Sequence, residues 1–373
     1  MAPKLKILHF MWSANFGGIE KLVIDLCQTQ NSTSDIQSEI LIGCAKGSFM
    51  QNLVDNNIPH FYGNLKSGFD FSPAKYRLVK SKMKEYDIIH IHTFNLIVIK
   101  AAIDSGKKII YTIHGNFNLG RKPKLGDHFN TFFLKYFLNS KIDYLTFNSE
   151  FTKKIATERY QLKIKNQCVI YNGIPLRKPE DIMPIDNTDL LNQLKNKFVI
   201  GTSSRFNAFK RIDRLIDAFA IFSKGKPDTI LLLVGDGVVK QELEKQVDEK
   251  NLRASTIFAG YQKNVQGFQK LMDVCVFPSQ NEPFGLVAVE TLSMGKPTLM
   301  FTDAGGMLEI LTNEFKSDIV TDVSNLAERL DYYYFTKNHQ NLELLAKRQQ
   351  LAAGFDVKIM ERSFYEAYLK IVR

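Results

Sequence analysis

Short apolar segments rich in β-branched residues alternate with helix-like segments along the whole chain, and this alternation constrains the fold more than any other feature. Strands separated by helical stretches are typical of parallel sheets with helical crossovers. The helix-like segments include 19–28, 213–222, 238–250 and 357–372. The predicted strands are 6–10, 39–43, 86–92, 108–112, 144–148 and 167–170 in the first half, and 198–203, 229–234, 255–259, 273–277 and 297–301 in the second.

A break in this pattern divides the chain into two halves. The turn sequence Asn172-Gly173-Ile174-Pro175 precedes a polar, proline-bearing segment at 178–189, where we place the interdomain linker. A length of 373 residues suits two domains of ordinary size. We therefore predict an α/β protein with two doubly wound domains and a ligand cleft at the carboxyl ends of their strands.

The net charge of +10 lies entirely in the first half of the chain. Up to Pro175 there are 23 lysines and arginines against 13 aspartates and glutamates, whereas the remainder has 26 of each. This excess is compatible with general solubility, with an anionic membrane surface or with an acidic acceptor. The basic residues are scattered and accompany no recognised nucleic-acid-binding motif, so no nucleic-acid partner is predicted.

Three further features concern the cellular compartment. No run of eighteen apolar residues predicts a transmembrane helix, and the chain enters its first strand too early for a signal peptide. The four cysteines (Cys27, Cys44, Cys168 and Cys275) are far apart and form no metal-binding or CxxC pattern. We expect a cytoplasmic protein, and peripheral association with the inner face of the plasma membrane is the open alternative.

The segment 274–294 combines a strand, a loop and a helix start. The strand ends at Pro278, the loop carries Glu282, and Pro283-Phe284-Gly285 opens a helical pattern that contains Glu290. The free N–H groups at a helix N-terminus attract phosphate, whereas carboxylates bind sugar hydroxyls. The alternative is that both acids are solvated. However, apolar neighbours indicate that the helix of Glu290 is buried, and a buried carboxylate needs partners.

Two cations follow the strand 198–203. Arg205 and Lys210 lie where a strand end meets the predicted cleft, and Arg and Lys are natural ligands of a pyrophosphate. The alternative places Lys210 and Arg211 as exposed residues at a helix start. No D-x-D sequence occurs, so we predict neither a metal-held diphosphate nor any other cofactor.

Glu282 and Glu290, with seven residues between them, resemble the E-x7-E motif of the retaining GT4-type glycosyltransferases of bacterial surface-polysaccharide synthesis. The flanking N-E-P-F-G-L-V-A-V-E-T-L-S-M-G-K-P and the later T-D-A-G-G-M-L-E-I also resemble that family. The resemblance implies a GT-B fold, with two Rossmann-like domains facing each other across a cleft. It implies an acceptor-side domain at 1–178, a nucleotide-sugar-binding domain at 190–352, and a C-terminal helix at 353–373 that crosses back to the first domain.

The resemblance also implies roles for individual residues. Glu282, His114, Arg205 and Lys210 would be catalytic: Glu282 would hold donor-sugar hydroxyls, the two cations would bind the diphosphate, and His114 would lie near the donor sugar. A histidine there can donate to a sugar hydroxyl or interact with a developing charge. Among the other implied donor-binding residues, Glu290 would hold the ribose, and the N–H groups of Phe284, Gly285 and Leu286 would hold the distal phosphate or sugar. Gly17 and Gly18 would face the phosphates and the acceptor. The base side would be lined by Gly235 together with Gly237, Gly305 and Gly306.

The implied reaction is transfer of a hexosyl-type sugar from a nucleotide-sugar, with a UDP-sugar favoured, to a glycan or lipid-linked acceptor. The resemblance implies retention by front-face attack, in which the leaving phosphate helps to deprotonate the acceptor. The sequence itself shows no carboxylate nucleophile of the kind that a covalent intermediate needs. Three alternatives remain: an inverting GT-B enzyme, a sugar-nucleotide epimerase of GT-B-like fold, and a non-catalytic partner subunit. A partner subunit would usually lack Glu282, Glu290, Arg205 or Lys210.

Two other patterns allow more than one interpretation. His90 and His92 share one face of a strand and could hold a metal, but no third ligand is identified, so packing or cleft lining is favoured. The stretch 126–151 contains F-N-T-F-F-L-K-Y-F-L-N-S-K, which predicts a basic aromatic helix suited to interfacial membrane contact or to packing in the core. Its aromatic residues are Phe129, Phe132, Phe133, Tyr136 and Phe137, interspersed with Lys135 and Lys141 and preceded by Arg121, Lys122 and Lys124.

Overall fold

The computed structural model describes residues 4–14, 17–32, 35–44, 47, 50–66, 72–115, 125–311, 313–337 and 342–372. The chain forms two compact units. Unit 1 comprises Met1–Pro175 and Asp356–Arg373, and unit 2 comprises Leu176–Phe355. The chain therefore passes from unit 1 to unit 2 directly after the turn sequence that ends at Pro175, and returns to unit 1 for its last helix.

Unit 1 contains a seven-stranded sheet in which all neighbouring strands are parallel, with the order β3-β2-β1-β4-β5-β6-β7. The strand order reverses between β1 and β4, and ligands of open α/β sheets bind at such a switch point. The strands are β1 Leu5–Ser13, β2 Ile36–Cys44, β3 His60–Tyr62, β4 Ile88–Ile91, β5 Lys108–Ile113, β6 Tyr144–Phe147 and β7 Gln167–Val169.

Helices connect these strands, and one further helix arrives from the far end of the chain. The helices are α1 Gly18–Ser32, α2 Met50–Asp55, α3 Pro73–Met83, α4 Leu96–Ser105, α5 Leu125–Ser140, α6 Glu150–Tyr160 and, as the last element, α14 Val357–Val372. The helix α14 begins where Val357 N–H donates to the Ile174 carbonyl oxygen at 2.9 Å, and it buries Phe364 and Tyr368 in unit 1. The predicted return of the C-terminal helix to the first domain is confirmed.

Unit 2 contains a six-stranded parallel sheet with the order β10-β9-β8-β11-β12-β13. Its strands are β8 Phe198–Ser203, β9 Thr229–Val234, β10 Thr256–Gly260, β11 Val274–Phe277, β12 Thr298–Phe301 and β13 Ile319–Val320. Its helices are α7 Thr188–Leu194, α8 Ile212–Phe222, α9 Lys240–Glu249, α10 Val265–Leu271, α11 Leu286–Ser293, α12 Val323–Thr336 and α13 Leu342–Ala353. This order reverses between β8 and β11.

The central strands are buried because helices cover both faces of each sheet. All six residues of β8 and all six of β9 are buried, which explains their continuous apolar sequences. Each unit has a hydrophobic core of its own. Both sheets have the strand order of a Rossmann fold, so the predicted pair of doubly wound α/β domains is confirmed.

The helices show no candidate membrane span. Across the described residues, none is both long enough and apolar enough to cross a bilayer.

Candidate functional site

In unit 2 the predicted site residues follow the carboxyl ends of neighbouring parallel strands. Arg205 and Lys210 follow β8, Gly235 follows β9 and Glu282 follows β11. Parallel strands end at the same edge of a sheet, and β8 and β11 flank the point where the strand order reverses. The topology therefore places these side chains where an open α/β sheet binds its ligand.

Lys210 and Glu282 form an ion pair. Lys210 Nζ lies 2.6 Å from Glu282 Oε2, and each side chain is only 13% exposed. The sequence assigned Lys210 to phosphate and Glu282 to sugar hydroxyls, and the structure brings the two groups into direct contact. The two charges neutralise each other.

The loop that carries Glu282 is held from two sides. On one side, Gln280 N–H donates to the Phe209 carbonyl oxygen at 2.7 Å. On the other side, Glu282 N–H donates to the Ala304 carbonyl oxygen at 3.1 Å, and the backbone carbonyl oxygen of Glu282 accepts from Gly306 N–H at 2.8 Å. The predicted Gly305-Gly306 loop therefore fixes the backbone of Glu282.

A charged pair anchors that supporting loop. Arg214 makes two parallel hydrogen bonds to Asp303, of 2.8 and 2.9 Å, and Asn281 N–H donates to the Asp303 carbonyl oxygen. The hydrogen bonds from Arg214 hold the pKa of the Asp303 carboxyl below its ordinary value. The sequence did not identify Arg214 or Asp303, whose pairing across 89 positions has no local signal.

Glu290 lies in the second turn of α11 and is buried, as the apolar neighbours predict. Its Oε2 accepts from Gln269 Nε2 at 3.3 Å, and the same nitrogen donates to Ser203 Oγ at 2.8 Å. Gln269, on α10, thus connects the motif carboxylate to the end of β8. Gln269 could not be identified from the sequence, because nothing in its local pattern distinguishes it from an ordinary helix residue.

Four buried polar atoms around the end of β8 have no hydrogen-bond partner within the described ranges. They are Thr202 Oγ1, Ser204 Oγ, Asn207 Oδ1 and Gln269 Oε1. Buried polar atoms are almost always hydrogen-bonded, so a local concentration of unpaired ones needs an explanation. Thr202, Ser204 and Asn207 lie at the end of β8 and in the loop that carries Arg205 and Lys210, and Gln269 donates to the neighbouring Ser203.

The predicted glycine positions serve close approaches between loops. Gly235 has a φ of +140°, and a Cβ built there would overlap the Ser204 carbonyl oxygen. Gly285, at φ +94°, immediately precedes the first residue of α11, Leu286, and a Cβ there would overlap Met307. Phe284 is buried, and the first N–H groups of α11 have no partners within the helix. Because residue 235 is a glycine, the loop after β9 can pack against the loop that carries Arg205. Arg205 itself is exposed.

In unit 1, Gly17 precedes α1 and Gly18 is its first residue, with Lys21 N–H donating to the Gly17 carbonyl oxygen at 3.1 Å. His114 follows β5 directly and is buried. Burial lowers the pKa of His114 from 6.5 to about 4, so its ring is neutral at pH 7 and carries no charge for a developing anion.

His114 is the end of a buried row of histidines. His9, His90 and His92 are all buried, and one ring nitrogen from each lies within 4.8 Å of the other two, an arrangement that could hold a metal ion. His9 is the third member of this group, and it could not be identified from the sequence. Every ring nitrogen of the three already has a hydrogen-bond partner, so a metal ion would have to displace those bonds.

The helix α5 divides its aromatic residues between the core and the surface. Phe137 is buried, whereas Phe132 is 68% and Tyr136 is 59% exposed. A groove of about 240 Å³ lies beside it, lined by Phe94, Leu96, Ile99, Lys100, Ile103, Asp104, Phe133, Tyr136 and Phe137. Arg121, Lys122 and Lys124, together with the Phe129 side chain, lie outside the described residues.

Two family models match the chain, one in each unit. Glycosyltransferase Family 4 matches residues 16–178, and Glycosyl transferases group 1 matches residues 187–342. The chain is a glycosyltransferase with the GT-B fold. It belongs to the GT4-type family that the E-x7-E motif indicates.

Relatives agree with this assignment. An uncharacterized glycosyltransferase of Bacillus subtilis, YqgM, is 25% identical over 303 residues, which is 79% of this chain and 81% of that protein. The alpha-monoglucosyldiacylglycerol synthase of Acholeplasma laidlawii is 26% identical over 243 residues, 60% of this chain and 61% of that one. Among solved structures, Anabaena HepE in complex with UDP has a TM-score of 0.81 at 22% identity, covering 98% of this chain and 100% of its own; HepE has also been solved with UDP-glucose.

Proposed function

We propose that unit 2 binds a nucleotide-sugar, with a UDP-sugar favoured, and that the enzyme transfers its hexosyl group to a glycan or lipid-linked acceptor with retention of configuration. The four unpaired buried atoms around the end of β8 carry this proposal. They belong to β8, to the loop that carries Arg205 and Lys210, and to Gln269, which contacts Glu290, while Lys210 contacts Glu282. A diphosphate ester offers acceptor oxygens for cations and hydroxyls, and its sugars offer hydroxyls for Glu282 and Glu290. That HepE was crystallised with UDP and with UDP-glucose supports the choice of base.

In this proposal the residues of unit 2 act by electrostatics and positioning. The departing nucleotide diphosphate gains negative charge as the glycosidic bond breaks, and Arg205, Lys210 and the N-terminus of α11 offset that charge. These groups need no metal ion or other cofactor. Phosphate binding releases Glu282 from Lys210, so that the carboxylate can accept hydrogen bonds from donor-sugar hydroxyls.

The first test is a thermal-shift screen against UDP-, GDP- and ADP-sugars. A ligand that binds the folded state raises the transition temperature, and the rise grows with the ratio of ligand concentration to Kd. We expect UDP and UDP-sugars to give the largest shift, and no shift with any nucleotide would contradict the proposal. Incubation of the bound sugar nucleotide without an acceptor tests the epimerase alternative, because an epimerase converts it and a transferase does not.

Replacing Glu290 by Ala should weaken UDP binding by about 1.5–3 kcal/mol, or roughly 10- to 100-fold in affinity, through the loss of charge-assisted hydrogen bonds. Isothermal titration calorimetry with UDP measures the change. Glu249→Ala, in an exposed pair with Lys245 on α9, is the matched control and should bind as the wild type does. Equal affinities for the two variants would remove Glu290 from the site.

The stereochemical outcome needs a separate measurement. Once an acceptor is identified, NMR of the product's anomeric centre decides between retention and inversion. An inverted linkage would leave the donor site intact but overturn front-face attack.

We further propose that unit 1 associates with an anionic membrane surface through α5. The exposed Phe132 and Tyr136 flank Lys135, and the first half of the chain has the whole positive excess. An apolar and basic helix face suits the interface of an anionic bilayer. The name of the Acholeplasma laidlawii relative, a glycolipid synthase, supports a lipid acceptor.

Sedimentation with phosphatidylglycerol vesicles tests this association. The wild type should move to the pellet, while the double variant Phe132→Ser with Tyr136→Ser should stay in the supernatant. Equal recovery of the wild type in the supernatant with and without vesicles would exclude a membrane role for α5.

A further inference from the structure

A chain of hydrogen bonds joins His114 to α1, α14 and four strands of unit 1, which are β1, β4, β5 and β6. One arm runs from His114 Nε2 to His92 Nδ1 (3.0 Å), from His92 Nε2 to His9 Nδ1 (3.0 Å), and from His9 Nε2 to Gln30 Oε1 (2.8 Å). Gln30 lies on α1 and is fully buried. The ring-to-ring bonds require each histidine to donate with one nitrogen and accept with the other.

A second arm continues from Gln30. Its Nε2 donates to Tyr368 OH at 3.3 Å, and that hydroxyl lies 2.8 Å from His90 Nδ1. His90 Nε2 is 2.6 Å from Thr112 Oγ1, which is 2.6 Å from Thr146 Oγ1. Thr146 Oγ1 donates to the Tyr111 carbonyl oxygen at 3.5 Å. The second arm therefore ends on a backbone carbonyl, which can only accept.

That carbonyl sets the direction of the second arm. Since Thr146 donates to it, Thr112 donates to Thr146, and His90 donates to Thr112 through Nε2–H. The other nitrogen of His90 then accepts the single hydroxyl hydrogen of Tyr368. Tyr368 has no second hydrogen to give, so Gln30 must face it with its amide NH₂ group.

The orientation of the Gln30 amide then sets the first arm. Its carbonyl oxygen faces His9 and accepts from Nε2–H, so His9 Nδ1 accepts from His92 and His92 Nδ1 accepts from His114 Nε2–H. His114 Nδ1 remains with a lone pair and has no hydrogen-bond partner among the residues that the structure describes. The opposite direction requires the Gln30 amide to be reversed, so that its NH₂ group faces His9, and Thr146 no longer donates to Tyr111.

We propose that Gln30, His9 and His92 are positioning residues that hold His114 as the Nε2–H tautomer, so that His114 Nδ1 accepts a hydrogen bond from a substrate hydroxyl. The contact with a substrate rests on the proposed function, whereas the tautomer does not. The site thereby selects a group that can donate, such as a sugar hydroxyl. It disfavours acceptor-only groups at the same position, such as an ether, a fluoride or a carboxylate.

Charge state and packing support the same assignment. Burial lowers the pKa of His9 to about 4 and also lowers those of His90 and His92, so all four rings are neutral at pH 7. The rings of His92 and His114 are stacked with centroids 5.3 Å apart, which restricts rotation about their side chains. No acidic side chain contacts the row, and its polar neighbours within the described ranges are Gln30, Thr112 and Tyr368.

The decisive measurement is a two-bond ¹H–¹⁵N correlation spectrum of the full chain at pH 7 with ¹⁵N-labelled histidine. His114→Asn identifies the His114 signals by their loss. We expect an unprotonated Nδ1 and a protonated Nε2 in the wild type. The Nε2–H tautomer should exceed the Nδ1–H tautomer by about fivefold or more, because one hydrogen bond favours it. A protonated Nδ1 in the wild type overturns the proposal.

Two variants test where the direction originates. Gln30→Met removes the acceptor for His9, and Thr146→Val removes the donor to Tyr111; each should move the two ¹⁵N signals of His114 toward each other. Thr146→Ser retains the hydroxyl and should leave them unchanged. Unchanged His114 signals in folded Gln30→Met and Thr146→Val would overturn the role of the chain. UDP affinity, measured on the same samples, reports on the proposed function separately, because a wild type that binds no UDP still has a defined tautomer.

Discussion

At the residue scale, the sequence identified the charged groups proposed to contact the donor but not the residues that hold them, whether charged (Arg214 and Asp303) or neutral (Gln269). The spacing of Glu282 and Glu290 and the strand-end position of Arg205 are local features, so they can be read from the chain. Gln269, which donates to Glu290, belongs to another helix and has no pattern of its own. The same holds for Tyr368, whose partner His90 is 278 positions away.

The Lys210–Glu282 pair gives a prediction in which two substitutions act in opposite directions. Lys210→Ala removes a cation from the proposed phosphate site and should lower UDP affinity by roughly 10- to 100-fold. Glu282→Gln removes the competing carboxylate, so UDP affinity should stay the same or rise, while sugar transfer should fall. Calorimetric titration with UDP measures both effects.

A second ion pair of unit 2 supplies the control. Lys245 and Glu249 form an exposed pair on α9 at 3.4 Å, and exposed pairs contribute little to stability. Lys245→Ala should leave UDP affinity unchanged. If Glu282→Gln weakens UDP binding as much as Lys210→Ala does, the two groups bind the nucleotide together and the competition described here is wrong.

At the element scale, the long buried strands and the amphipathic helices were predictable, whereas β3 and β13 were not. The predicted segments 198–203, 229–234 and 357–372 have the bounds of β8, β9 and α14. The strands β3 and β13 have three and two residues, too few to show any periodicity. Both lie at a sheet edge, where pairing with one neighbour defines the strand.

The β9 loop gives a prediction about how Arg205 is positioned. At φ +140° Gly235 has a conformation that side chains rarely adopt, and a Cβ would overlap the Ser204 carbonyl oxygen. Gly235→Ala should therefore lower the free energy of unfolding and, by displacing the Arg205 loop, weaken UDP binding. Urea unfolding followed by far-UV circular dichroism measures the first effect, and calorimetry the second.

Gly225 offers a matched comparison in the same unit. Its φ is +73°, and a Cβ there would meet nothing within 4 Å, so Gly225→Ala tests backbone strain without overlap. We expect Gly235→Ala to cost at least about 2 kcal/mol more than Gly225→Ala. Equal costs, with equal UDP affinities, would mean that Gly235 does not support the Arg205 loop.

At the scale of the whole molecule, the two units have related sheets but different polar interiors. Unit 2 gathers charged groups at the end of its sheet, paired as Lys210 with Glu282 and Arg214 with Asp303. Unit 1 instead buries four neutral histidines beside its central strands. The sequence predicted the shared fold from the alternation of elements. It did not predict this contrast, because the histidine row joins residues from three separate strand regions and depends on their register.

The histidine row makes the stability of unit 1 depend on pH. The pKa of His9 and of His114 falls from 6.5 to about 4 on burial, so between those values the unfolded chain binds protons that the folded chain does not. The free energy of unfolding must therefore decrease as pH falls from about 6.5 to about 4, and below pH 4 the loss is complete. Each of these two histidines contributes about 3 kcal/mol to the loss.

Trp12, on β1, is the single tryptophan of the chain, so its fluorescence reports on unit 1 specifically. Urea titrations followed at Trp12 should have a clearly lower midpoint at pH 5 than at pH 7. His9→Gln keeps a hydrogen-bonding side chain but removes one titrating group, so its midpoint should change less between the two pH values. A wild-type midpoint that is the same at pH 5 and pH 7 would contradict a buried row of neutral histidines. It would mean that these rings accept protons in the folded protein as readily as they do in water.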